Sequence, residues 1–160
     1  MKSARLDITD WAILRELQED ARLSYAEIGR RVGLSSPAVQ ERIRRLEDAN
    51  IIEGYHAKVS LKSLEVGLMA IIRLSNVQEF DIKKKIVDIL DDIPEVTDCY
   101  QVTGEDEFVI IVHAQTMEHM SSIKMKFAPH ARLITSMIIK KPIDGRVISL
   151  ENFPYLLEED

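Results

Sequence analysis

Residues 35–46 read SSPAVQERIRRL. Laid on a helix with Val39, Ile43 and Leu46 turned inward, this run points Ser36, Pro37, Gln40, Glu41, Arg44 and Arg45 outward. Several of these types match a group on the edge of a base pair. An arginine fork fits O6 and N7 of guanine, a glutamine amide pairs with adenine, and a glutamate accepts from the cytosine amino group. Ser35 and Ser36, with the open N–H groups of a helix start, suit a phosphate. Arg30 and Arg31 precede the run, and Lys58 comes after it, as cations that can reach a phosphate backbone. The same letters support a second reading. Arg44 with Asp48, and Glu41 with Arg45, are spaced i,i+4, the pattern of a salt-bridged wet surface. A three-helix unit can also dock another protein.

Three helical patterns would position these residues. The first covers residues 8–19, capped by Asp7, with Ile8, Ala12, Ile13, Leu14 and Leu17 as its apolar face. The second starts at Ser24, which forms a capping box with Glu27, and stops at Gly33, a residue suited to a left-handed helix end. The third is capped by Ser35 or Ser36, carries Pro37 in its first turn, and runs to about Asp48. Residues 51–59 then place Ile51, Ile52, Tyr55, Ala57 and Val59 around Gly54, which predicts a hairpin or one extended strand. Three helices and such a ribbon make a winged helix-turn-helix over residues 1–61.

Residues 62–150 alternate strand and helix patterns: strands at 69–75, 96–103, 108–114 and 132–141, helices at 80–93 and 116–127. The order β-α-β-β-α-β is the ferredoxin-like arrangement, so the fold class is α+β. A further strand is expected after a turn at Asp144-Gly145. Residues 151–160 form an acidic tail, either loose or docked on a neighbour. The run FVIIVHA at 108–114 is apolar at nearly every position, whereas a strand with one wet face should alternate. Two helices cover one face of a four-stranded sheet, so the other face is expected to meet a second subunit.

Charge narrows the partners. The 160 residues carry a net charge of −6. Residues 1–60 hold ten Lys and Arg against ten Asp and Glu, so the whole acidic excess lies in residues 61–160, which are unsuited to face phosphate. Contact with nucleic acid therefore needs arginines placed locally in the first 60 residues. No apolar run approaches a membrane span and no secretory signal is visible, so the expected location is the cytoplasm. The single cysteine, Cys99, cannot form an intramolecular disulfide or a zinc ribbon. His56, His113, His119 and His130 lack metal-ligand spacing, and no metal or cofactor is expected. The lysine run 83–85 sits beside Asp88, Asp91 and Asp92 and reads as a wet helix face.

Residues 6–68 closely resemble the start of the Lrp/AsnC, or feast/famine, transcription regulators. The matching elements are Leu6-Asp7 and Asp10, ILRELQEDAR, GLS at 33–35, Val39, RIRRLE at 42–47, and the spaced Ile51, Ile52, Gly54, Tyr55, Ala57 and Val59. The resemblance spans about residues 5–150. It implies a dimer, in many relatives built up to octamers or discs, that binds pseudo-palindromic promoter sites on double-stranded DNA. It also implies a C-terminal domain that assembles the particle and senses a small effector, usually an amino acid. The family loop Gly-x-x-Asp-Tyr/Phe appears here as GEDEF, with Glu107 at the aspartate position, and the family's Thr-x-Thr appears as Leu133 and Thr135. The resemblance thus places effector contacts at Gly104, Glu105, Asp106, Glu107, Leu133 and Thr135. Asn50 stands where many relatives carry glycine and tolerates the same left-handed backbone. Two alternatives remain open. Siroheme decarboxylases share this architecture but gather histidines and arginines around a tetrapyrrole, unlike the scattered histidines here. A regulator without an effector would act as an architectural DNA binder.

Overall fold

The computed structural model describes residues 6–77 and 80–153. They form two compact units, one reaching to Ala57 and resuming at Ile143, the other running from Lys58 to Pro142. The acidic end of the tail, from residue 154, lies outside the described residues, as do the side chains of Lys83 and Lys84.

The first unit holds α1 (Ile8–Glu19), α2 (Tyr25–Val32) and α3 (Ser36–Asp48). Helix α1 begins with a closed capping box. Asp7 accepts from the Asp10 amide at 2.8 Å, and Asp10 accepts from the Asp7 amide at 3.1 Å. The box expected at α2 is half made. Ser24 accepts from the Glu27 amide, but the Glu27 carboxylate is drawn to Arg30 and to Arg31 Nε. Cations one turn along compete for that carboxylate and win it. Ile13, Leu14, Ile28, Val39, Ile43 and Leu46 make the core, so the apolar stripes of all three helices meet.

The expected wing is not formed. Residues 53–60 carry no strand, because a lone extended run has no second strand within the unit to complete its ladder. Residues 143–150 carry no strand either. Gly145 has the left-handed φ of 65° that a turn needs, but the backbone of Ile148, just beyond it, pairs with a side chain. The Gln18 amide of α1 donates to Ile148 O at 2.9 Å and accepts from Ile148 N at 2.8 Å. A single amide therefore fills the ladder position a strand would have taken.

The second unit is a four-stranded antiparallel sheet under two helices. A short 3-10 turn (Leu61–Leu64) leads into β1 (Leu68–Ser75), α4 (Phe80–Asp91), β2 (Val96–Gln101), β3 (Asp106–Ala114), α5 (Met117–Phe127) and β4 (Arg132–Met137). The strand order is β2-β3-β1-β4, the ferredoxin-like order. Strand β4 stops at Met137, short of the expected residue 141. Its partner β1 starts at Leu68, and only Ile138 N still reaches Met69 O. Beyond it Ile139 is 98% exposed.

Alternation along the sheet sorts its faces. Ala70, Ile72 and Leu74 of β1 and Phe108, Ile110, Val112 and Ala114 of β3 are buried with Ile86, Met120, Ile123 and Phe127 of the helices. The other face carries Met69, Ile71, Val109, Ile111 and Ile134, half-buried, with Arg73 and His113. The unbroken apolar run in β3 therefore feeds two faces, and the described residues cover one of them.

Candidate nucleic-acid interface and effector loop

The angle between α2 and α3 is fixed by a close backbone approach. A Cβ placed on Gly29 would lie 2.4 Å from Leu34 O, and Leu34 N donates to Gly29 O at 2.9 Å. Gly33 then turns the chain with φ 75°. Sequence reading misses Gly29. Its signal is a glycine inside a helix pattern, where glycine costs about 1 kcal/mol against alanine unless a close contact requires it.

Ion pairs lock the same scaffold. Arg42 Nη1 of α3 lies 2.6 Å from Asp10 and 2.7 Å from Asp7 of α1, and Asp10 is only 2% exposed. Arg31 of α2 lies 2.7 Å from the buried Glu16 of α1 and 3.0 Å from Glu27. The arginines thus divide by role. Arg42 and Arg31 brace the helices, whereas Arg44 and Arg45 stand on the exposed face. Arg31, expected at a phosphate, is engaged by α1 instead, and Arg30 is paired with Glu27. In the sequence Arg42 is only one more charge on a polar surface, because acids 32 and 35 residues away leave no trace in local spacing.

The braces make acid stability predictable. Burial pushes the Asp7 carboxyl up, but the Asp10 amide and the Arg42 guanidinium outweigh it and hold it below the ordinary value. The ordinary value is 3.8, so Asp7 binds fewer protons folded than unfolded. Its stabilisation is complete above that value and fades as pH falls through the lower folded one. Melting wild type and Asp7→Asn at pH 7, 4 and 2.5 should show a gap that closes toward the lowest pH.

On this scaffold α3 shows the face the sequence laid out. Val39, Ile43 and Leu46 are buried, and Ser35, Pro37, Gln40, Glu41, Arg44 and Arg45 are exposed; Ser36 is half-buried, at the edge of the face. Ser35 is the N-cap yet makes no side-chain bond, unlike Asp7, Ser24 and Thr116 at their helices. The first turn of α3 therefore keeps open N–H groups for an anion. Glu41 pairs with Arg44 rather than Arg45: Arg44 Nε and Nη2 lie 3.2 and 3.0 Å from its two oxygens, and Nη1 lies 3.0 Å from Asp48. The Arg44 guanidinium holds the Glu41 carboxyl below its usual range. At the far end of α3, Tyr55 donates to Glu47 at 2.9 Å, and burial with that carboxylate pushes the phenol up to about 12. Lys58 is exposed and opens the second unit.

The second unit carries the residues of the expected effector loop. Gly104 has φ 120° in the β2–β3 turn, and Glu105 is exposed beside it. Asp106 and Glu107 belong to β3 rather than to the turn. Asp106 is held by Arg73 Nη1 at 3.2 Å. Glu107 Oε2 and Thr135 Oγ1 are both buried without a hydrogen-bond partner. Leu133 and Thr135 stand opposite Leu74 and Ile72, on the helix-covered face, while the pairing of β1 with β3 passes from Leu74–Phe108 to Ser75–Asp106 and skips Glu107, which sits at a bulge. Gly104, Glu105, Asp106 and Glu107 follow one another through the β2–β3 turn into β3, and Leu133 and Thr135 lie on β4, with β1 between those two strands. Of the histidines, His119 lies 2.9 Å from Glu95, while burial pushes the His113 imidazole down against the pull of Asp98. No group of three or more potential metal ligands exists among the described residues.

Comparison with known proteins decides the family. Residues 6–47 match the AsnC-type helix-turn-helix domain, and residues 68–148 match the Lrp/AsnC ligand binding domain. The chain belongs to the Lrp/AsnC family of transcription regulators. It is similar to the HTH-type transcriptional regulator LrpC of Bacillus subtilis, at 31% identity over 137 residues covering 86% of this chain and 94% of LrpC. Among solved structures it is similar to a Neisseria meningitidis transcriptional regulator complexed with L-methionine. That likeness has a TM-score of 0.85 and 30% identity, and covers 92% of this chain and 99% of the other. A feast or famine regulatory protein of Mycobacterium tuberculosis, also complexed with L-methionine, has a TM-score of 0.77 and 28% identity over 88% of this chain and 97% of its own. As an Lrp/AsnC protein, the chain pairs a helix-turn-helix with an α+β sensing fold, the order expected from sequence. No helix among the described residues is long and apolar enough to cross a membrane.

Proposed function

We propose that this Lrp/AsnC regulator reads double-stranded DNA with α3 and answers to a small amino acid bound by its second unit. The observation that carries the DNA reading is the exposed stripe Gln40, Glu41, Arg44 and Arg45 on a helix whose angle is set by Gly29 and whose base is braced by Arg42. A helix held this way can enter the major groove with its first turns toward the bases. Ser35, Ser36 and Pro37 lie at the phosphate-facing start, with Arg30, Arg31 and Lys58 as backbone cations. Arg30 must loosen its pair with Glu27 to do so, which costs about 1 kcal/mol or less, whereas Arg31 would have to leave the buried Glu16 carboxylate, which costs more. The protein acts by binding, in the cytoplasm, and not by turnover.

Two copies are required for a pseudo-palindromic site. The half-buried apolar face of the sheet, with Ile71, Val109, Ile111 and Ile134, is the surface that suits a second copy, and octamers are a further step of the same kind. The effector reading rests on relatives crystallised with L-methionine and on the buried, unpartnered Glu107 oxygen, which an ammonium group would satisfy. Fluorescence anisotropy with a pool of duplexes tests the DNA reading, and saturable binding is expected. Thermal melting with each of the twenty amino acids tests the effector reading. A ligand of the folded state adds about 2.7 kcal/mol at one hundred times its Kd, so at least one amino acid should raise the melting temperature by several degrees. Twenty flat curves would make the protein an architectural binder.

A further inference from the structure

Glu41 occupies the edge of Arg44 that would read a base. Arg44 Nε and Nη2, a donor pair of the kind that grips guanine O6 and N7, are bonded to the two Glu41 oxygens at 3.2 and 3.0 Å. Asp48 holds the remaining arm, Nη1, at 3.0 Å. All three side chains are well exposed, at 60%, 59% and 63%, so the fork exists in water, without a buried environment to force it. The exposed charges of α3 are Arg44 and Arg45 against Glu41, Glu47 and Asp48, so this face offers DNA no net positive field.

We infer that Glu41 is a specificity-determining residue that acts by exclusion, releasing Arg44 only where the duplex offers partners to both. The inference rests on the DNA reading proposed above. When Arg44 turns to a phosphate, Glu41 loses its fork and its carboxylate is carried toward a second negative charge. When Arg44 turns to guanine O6 and N7 and a cytosine amino group lies beside it, Glu41 accepts from that amino group and neither partner is left bare. Residues 41 and 44 are neighbours on one helix face, with Cβ atoms about 5–6 Å apart. That reach matches adjoining base pairs in the groove. The half-site should therefore contain two successive G·C-type pairs, one presenting guanine to Arg44 and the next presenting cytosine to Glu41.

The test compares wild type, Glu41→Gln and Asp48→Asn, each as the full chain, on the duplex that wild type selects from a random pool and on a scrambled duplex of equal length. Glu41→Gln should bind the scrambled duplex about tenfold more tightly and cut the selected-to-scrambled ratio about tenfold. It should also lose the preference for cytosine at the adjoining pair. Its log affinity against log salt on the scrambled duplex should steepen by about 0.9 per chain, as expected when a freed arginine neutralises one more phosphate. Asp48→Asn should keep the cytosine preference, because the Glu41 fork survives it. A Glu41→Gln ratio within twofold of wild type with an unchanged salt slope overturns the inference while leaving the DNA reading intact. Failure of wild type to bind any duplex overturns both.

Discussion

Gly29→Ala should unfold the first unit at temperatures wild type withstands and abolish DNA binding with it. The added methyl would meet Leu34 O at 2.4 Å, a backbone atom that cannot swing aside. Overpacking of this kind costs about 3 kcal/mol, and the higher helix propensity of alanine returns less than about 1 kcal/mol. The net loss, about 2 kcal/mol, is a large share of a small unit's stability. Gly67→Ala is the control, since a Cβ there meets nothing within 4 Å. Urea denaturation of the two variants should separate them cleanly, and equal midpoints would show that the α2–α3 approach can relax around a methyl group.

Arg42→Ala should be the costliest arginine change on α3, although Arg44 and Arg45 beside it look more conspicuous. Removing the guanidinium leaves the Asp10 carboxylate, 2% exposed, without its cation at 2.6 Å. Stranding a buried charge costs about 3–5 kcal/mol. Asp10 keeps its bond from the Asp7 amide, which places the expected loss near the lower end. Arg44→Ala breaks exposed pairs alone and should change stability by about 0.5 kcal/mol or less. Chemical denaturation of both single variants measures the contrast. Replacing Asp10 and Arg42 together by Leu and Met should recover much of the loss, because it removes the stranded charge as well as the pair.

The helices and strands were legible because each is written in a local period. The 3.6-residue stripe of Val39, Ile43 and Leu46 fixed which side of α3 faces out, and the structure buries those three residues. Strand order followed from the element order alone. What failed depended on partners distant in sequence. Residues 53–60 and 143–150 have strand-like letters, yet a strand exists only with a neighbour, and the ladder position of Ile148 is taken by the Gln18 side chain 130 residues away. Arg42 and Arg31 read as surface charges until the fold brings Asp10 and Glu16 to them. For the effector loop, Glu107 falls where the β1–β3 pairing passes from Leu74–Phe108 to Ser75–Asp106, and a period-two reading of β3 has no signal for such a bulge.

The central claim is that α3 reads base identity from a rigid scaffold, and the most direct measurement is the binding of wild type and Arg44→Ala to every single-base variant of the selected duplex. The account predicts that wild type loses about 1–3 kcal/mol at the guanine facing Arg44, and that Arg44→Ala flattens that position while leaving discrimination at the others. Uniform weakening of all duplexes by Arg44→Ala, with every positional preference retained, would contradict it.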